Sequence, residues 1–125
     1  ERLAAGEQYV HMVGSEVFKF AVRIIPETTR RALESSELGP EDVTWVVPHQ
    51  ANQRIIATIG ERLGVPEERV FSNIEFHGNT SAASIPLALH DLYTDAQLHP
   101  GDVVALVGFG GGLTWGAAIV RWTKG

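Results

Sequence analysis

Val43-Thr44-Trp45-Val46-Val47-Pro48-His49-Gln50-Ala51-Asn52 is the stretch that decides the fold. Its first half, Val43 to Val47, is an apolar run of valines and a tryptophan. Such a run suits a strand buried on both faces, as parallel strands are when helices cover each side. Its second half is an abrupt polar insert that opens with Pro48. The insert stands at the carboxyl end of the strand, the edge where open α/β sheets place ligands.

Downstream, Ala51 to Leu63 reads as a helix with Ile55, Ile56, Ile59 and Leu63 on one face. Gly64 is its stop, with Pro66 behind it. After the solvated turn Glu67-Glu68-Arg69, Val70 to Ile74 reads as a strand. Ser81 to Leu92 is the next helix, followed by a polar turn that ends at Pro100-Gly101. Val103 to Val107 is a second all-apolar strand, broken by Gly110-Gly111-Gly112. Leu113 to Trp122 is a last strand that pairs back antiparallel.

Upstream, Tyr9 to Val13 reads as a short strand, with Ser15 as a helix N-cap and Glu16 in the first turn. Val17, Phe18, Ala21, Val22, Ile24 and Ile25 form the apolar stripe of a long helix. Pro26 is expected to interrupt or kink it before Glu27 to Ser36, and Gly39-Pro40 is the stop. The order β-α-β-α-β-α-β-β means parallel crossovers and a layered α/β domain. The sheet is expected to be mixed, with helices on both faces.

With 125 residues the chain is one domain's worth. No stretch approaches the roughly 20 apolar residues of a membrane span, and no signal-peptide pattern opens the chain. The net charge of −5 and the lack of a basic run argue against nucleic-acid binding. A cytoplasmic protein is expected. Cysteine is absent, which removes disulfides, thiolate metal sites and cysteine nucleophiles from these residues.

The helix from Ser81 to Leu92 carries almost no charge before His90 and Asp91. A helix without a polar face is buried all round. One sheet covers only one side, so a partner outside this chain is expected on the other, either a second half of the same protein or another subunit.

The candidate site combines two polar turns, Pro48-His49-Gln50-Ala51-Asn52 and His77-Gly78-Asn79-Thr80-Ser81-Ala82-Ala83-Ser84. His49 alone reads either as a site residue or as a cap on the following helix. Asn79 alone reads as an N-cap or left-handed residue. As a pair they are stronger, because an imidazole and a carboxamide can both donate to one oxygen without fixed charge. That suits a short-lived enolate or oxyanion. His77 and His49 make a weak metal pair, so a structural role is expected for His77 and no metal site. Gly108-Phe109-Gly110-Gly111-Gly112 fits neither the dinucleotide fingerprint nor a P-loop, and reads as a tight turn close to a ligand. Phe109 reads as facing the site or as core. Arg54, in the first turn of its helix, opposes the dipole and would welcome an anion such as a phosphate; it also reads as a plain surface arginine.

These two turns, together with Phe109-Gly110-Gly111-Gly112-Leu113-Thr114-Trp115-Gly116, resemble the carboxyl-terminal half of β-ketoacyl-acyl-carrier-protein synthase III. The resemblance runs from about Val10 to Trp122. It implies a thiolase fold, in which two similar halves pack as five layers, and usually a homodimer. It implies a decarboxylative Claisen condensation that begins fatty acid synthesis. A cysteine takes an acyl group from acyl-coenzyme A; malonyl-acyl-carrier protein loses carbon dioxide, and its enolate attacks the acyl-cysteine. On this resemblance His49 and Asn79 are catalytic, holding the malonyl thioester carbonyl. Phe109 lies beside the reacting carboxylate, and Arg54 serves coenzyme A or carrier-protein binding at the mouth. Asn52 lines the pantetheine tunnel, and Gly110 and Gly111 supply the backbone turn. No cofactor is implied beyond the substrates' own phosphopantetheine. The nucleophilic cysteine would belong to an amino-terminal half outside these residues, so this chain alone is expected to be inactive. Two other readings stay open: a non-catalytic acyl-coenzyme A or carrier-protein binding module, and a synthase-like acyltransferase of secondary metabolism.

Overall fold

The computed structural model describes Tyr9 and residues 11–125. Helix α1 spans Gly14–Glu34 and strand β1 Trp45–Pro48. Helix α2 spans Gln53–Leu63, the single-turn helix α3 Ile74–His77 and helix α4 Ser84–Thr94. Strands β2, Val103–Gly110, and β3, Thr114–Arg121, close the chain as a hairpin. The strands form one mixed sheet in the order β1-β2-β3, with β1 parallel to β2 and β2 antiparallel to β3.

Strand alternation divides the core between the two sheet faces. Val46, Ala105 and Val107 point to one face, where Ala21, Ile25 and Leu33 of α1 and Ile55, Ile59 and Leu63 of α2 pack. Val47 and Val104 point to the other, against Ala88 and Leu92 of α4. Both faces are therefore covered, which is why the strands read as unbroken apolar runs.

Several features differ from the sequence expectation. Among Tyr9 and residues 11–13 no strand forms; Val10 of that expected strand lies outside the described residues. Val13 instead takes the N-cap position of α1, and Met12 and Val13 stay exposed. Ser15 is consequently inside the first turn and caps nothing. Pro26 sits within α1 without ending it. The buried stripe Ala21, Val22, Ile25, Thr29 and Leu33 continues through the proline. Its burial outweighs the roughly 3 kcal/mol that an interior proline costs a helix.

The expected strand Val70–Ile74 reduces to one parallel bridge, Val46 with Val70. Phe71 N–H still donates to Val46 O at 2.9 Å. Beyond it, the Gln50 side chain takes the place of a neighbouring strand. Its Oε1 accepts from Asn73 N–H at 3.0 Å and its Nε2 donates to Phe71 O at 3.2 Å. With those groups satisfied by a side chain, no ladder extends and the chain turns into α3.

The helix expected from Ser81 begins as a 3-10 turn, Ser81–Ala83, and becomes α-helical at Ser84. Within this chain α4 buries Ser84, Ala88 and Leu92, one stripe at helical spacing, while Ala82, Ala83 and Pro86 are exposed. Ile85, Leu87 and Leu89 on its other faces are only partly covered among the described residues.

Candidate active site

His49 stands one residue beyond β1, and the parallel ladder reaches it: its N–H donates to Val107 O at 2.7 Å. The backbone is thereby fixed at the carboxyl edge of the sheet. The ring's Nδ1 lies 2.6 Å from Ser84 Oγ, at the first residue of α4. The histidine ring meets the Phe109 ring in an edge-to-face contact, with centroids 5.4 Å apart and planes at 69°. Burial pushes the His49 pKa below its ordinary value, because a charged ring would lose hydration there.

Asn79 follows Gly78, whose φ of 66° and ψ of −162° demand a residue without a Cβ. Asn79 Oδ1 accepts the Ser81 N–H at 2.9 Å. That bond settles which end of the amide is which, so the NH2 group is left to donate. The local turn role read from the sequence and the site role are thus compatible in one residue.

Asn52 is the N-cap of α2, its side chain accepting from Arg54 N–H at 2.8 Å. This starts the helix two residues later than expected, and His49 is not its cap. Arg54 lies over the Phe18 ring of α1, 5.2 Å from the centroid. Gly110 pairs with Thr114, and the turn between β2 and β3 is closed by Thr114 Oγ1 donating to Gly111 O at 3.1 Å. His49, Asn52, Arg54, Asn79, Phe109, Gly110 and Gly111 all line one open cleft of about 2010 Å³.

Sequence reasoning missed two residues. Ser84 was visible only as a small residue on a helix, yet its hydroxyl accepts Gln50 N–H at 3.2 Å besides meeting His49. Gln50 is buried and ties β1 to the Phe71–Asn73 segment. The only available signal was that a glutamine beside a buried strand needs partners for both ends of its amide.

His77 pairs with an acid on α4. Its Nε2 lies 3.0 Å from Asp91 Oδ2, which also accepts Asn73 Nδ2 at 2.7 Å. The Asn73 hydrogen bond, then His77, hold the Asp91 carboxyl below the usual carboxylate range. Among the described residues no cluster of three metal-ligating side chains occurs, and no helix is long and apolar enough to cross a membrane.

The carboxyl edge of this layered α/β sheet thus sets an imidazole and a carboxamide on one cleft, and uncharged donors of that kind are able to hold a developing oxyanion. Residues 33–122 match the family described as 3-oxoacyl-(acyl-carrier-protein) synthase III C terminal, and the chain belongs to that family. It is 51% identical over 123 residues to a β-ketoacyl-(acyl-carrier-protein) synthase III of Clostridioides difficile, covering 98% of this chain and 38% of that protein. It is 50% identical to the protein of that name from Synechocystis, across 92% of this chain and 35% of that one. Among solved structures, the synthase III of Aquifex aeolicus superposes with a TM-score of 0.89 at 49% identity, over 91% of this chain and 37% of that chain. The Pseudomonas aeruginosa enzyme superposes with a TM-score of 0.90 at 46% identity, over 93% and 37%. The thiolase-like fold expected from the motifs is the fold of these structures. This chain spans a little over a third of the length of the curated relatives it matches.

Proposed function

We propose that residues 1–125 belong to the carboxyl-terminal half of a β-ketoacyl-acyl-carrier-protein synthase III, the half that activates the malonyl unit. The observation that carries this is the pair of oriented neutral donors, His49 and Asn79, on one cleft beside the apolar ring of Phe109. An amino-terminal half of similar fold supplies the cysteine and covers the open faces of α4. The full protein works as a homodimer in the cytoplasm, on acyl-coenzyme A and a malonyl-acyl-carrier protein, with no cofactor.

Once the cysteine carries its acyl group, the chemistry runs in two steps. The bond from the malonyl carbon to its carboxylate breaks, and carbon dioxide leaves. The electron pair becomes a thioester enolate whose oxygen takes N–H bonds from His49 and Asn79. Neutral donors hold that charge without stabilising the starting carboxylate, so they favour the transition state over the ground state. The apolar Phe109 ring disfavours the carboxylate that is lost. The enolate carbon then bonds to the acyl carbon on the cysteine, and the cysteine sulfur departs as thiolate. Asn52 and Arg54 line the mouth, where a pantetheine arm and its phosphate would lie.

The test uses the full-length protein, an acyl-coenzyme A and a malonyl thioester. The expected result is a β-ketoacyl thioester, with the acyl intermediate mapped to a cysteine outside residues 1–125. Ligand binding without product, or acylation inside these residues, would sink the proposal.

A further inference from the structure

Ser84 is 2% exposed within this chain, so no outside group reaches its hydroxyl. Among the described residues, two polar groups bond its Oγ: Gln50 N–H at 3.2 Å and His49 Nδ1 at 2.6 Å. A serine hydroxyl has one proton to give and two lone pairs. Gln50 N–H can only donate, so it occupies a lone pair. The hydroxyl proton is then left for His49 Nδ1.

The alternatives fail on the same count. If Nδ1 carried a proton, it too would donate to Oγ. The serine would then hold two incoming donors, and its own proton would be buried with no acceptor. Burial of the imidazole independently favours the uncharged ring. A ring that accepts at Nδ1 while neutral carries its proton on Nε2.

We propose that Ser84 is a positioning residue that fixes the tautomer of His49, so that Nε2 presents its N–H to the substrate oxygen. This deepens the functional reading above and rests on it. The arrangement is a relay of orientation, and no proton moves through it. Gln50 N–H, held on the backbone just beyond β1, aims the serine hydroxyl; the hydroxyl aims the ring. The Ser81 N–H does the equivalent work for the Asn79 amide. Each donor of the pair is therefore set by a bond on its far side, before substrate arrives.

Ring-nitrogen NMR of the full-length protein with labelled histidine tests this near neutral pH, with the His49 signals assigned from the His49→Gln variant. The expected spectrum is a neutral ring with its proton on Nε2. A proton on Nδ1, or a charged ring, overturns the inference without any Ser84 variant. Ser84→Ala should add an Nδ1–H population and lower kcat for malonyl decarboxylation about tenfold to a hundredfold, the range typical of outer orienting partners. KM for the malonyl thioester should stay within about twofold, and Ser84→Thr should restore both tautomer and kcat. Unchanged tautomer and rate in Ser84→Ala, beside a severe loss in His49→Ala, would refute the role of Ser84 and leave the functional reading intact. If His49→Ala also turned over normally, the functional reading would fall, while the wild-type tautomer would still decide the orientation claim.

Discussion

Replacing Gln50 by leucine should destabilise the fold far more than its position in a loop implies. Gln50 is 1% exposed. Its Nε2 donates to Pro48 O at 2.8 Å and to Phe71 O at 3.2 Å, and its Oε1 accepts Asn73 N–H at 3.0 Å. Leucine has similar bulk and bonds none of them. The Asn73 N–H is a buried donor, and leaving one unpaired costs about 1–3 kcal/mol. The two carbonyls each lose an ordinary bond, worth about 1 kcal/mol net. The sum is about 3–5 kcal/mol, a large share of the roughly 5–15 kcal/mol that holds a typical domain folded. Urea denaturation of the full-length protein should show it as a lower midpoint. Hydrogen exchange gives a local reading: losing about 3 kcal/mol at this joint should speed exchange of the Asn73 amide on the order of a hundredfold. An unchanged midpoint with an unchanged Asn73 amide would refute the idea that a side chain substitutes for the missing strand.

Two further outcomes follow from the same geometry. Because burial holds His49 below its ordinary pKa of 6.5, the neutral ring is the majority form at that pH. A pH profile of malonyl decarboxylation should therefore have the midpoint of its acid limb below 6.5; a midpoint at or above 6.5 would contradict it. The sign for stability is the same: the depressed histidine contributes fully above 6.5, and its contribution is lost as pH falls through the folded-state value. Asn52→Ala removes the cap on α2 and should cost about 1 kcal/mol, read as a shift in denaturation midpoint. It should also loosen Arg54, whose N–H the cap holds, raising KM for the coenzyme A substrate more than it lowers kcat.

The readable parts of the chain were those governed by short-range rules. Helix α2 announced itself by its isoleucine face and by Gly64, which does adopt the left-handed C-cap at φ 73°. The central strands β1 and β2 were visible because covering both faces leaves no room for polar alternation. Pro26 misled because its local cost is plain in sequence, while the burial that offsets it depends on α2 and the sheet. The lost strand at Val70–Ile74 turned on a glutamine twenty or more residues away, which no local pattern reveals. Among site residues, the polar turns were conspicuous against apolar strands, and the structure gathers them on one cleft. Ser84 was not, since a serine at a helix start has many ordinary uses. Its contact with His49 exists only once α4 packs against the end of β1.

The most direct test of the account is carbon dioxide release from a malonyl thioester by the full-length protein, compared with His49→Ala, Asn79→Ala and the double variant. Each donor removed from an oxyanion should cost about a hundredfold to a thousandfold in rate, and a pair serving one oxygen should be non-additive in the double variant. Acyl loading of the cysteine should survive in all three. Wild-type rates of carbon dioxide release in either single variant would contradict the assignment of His49 and Asn79 as the groups that hold the enolate.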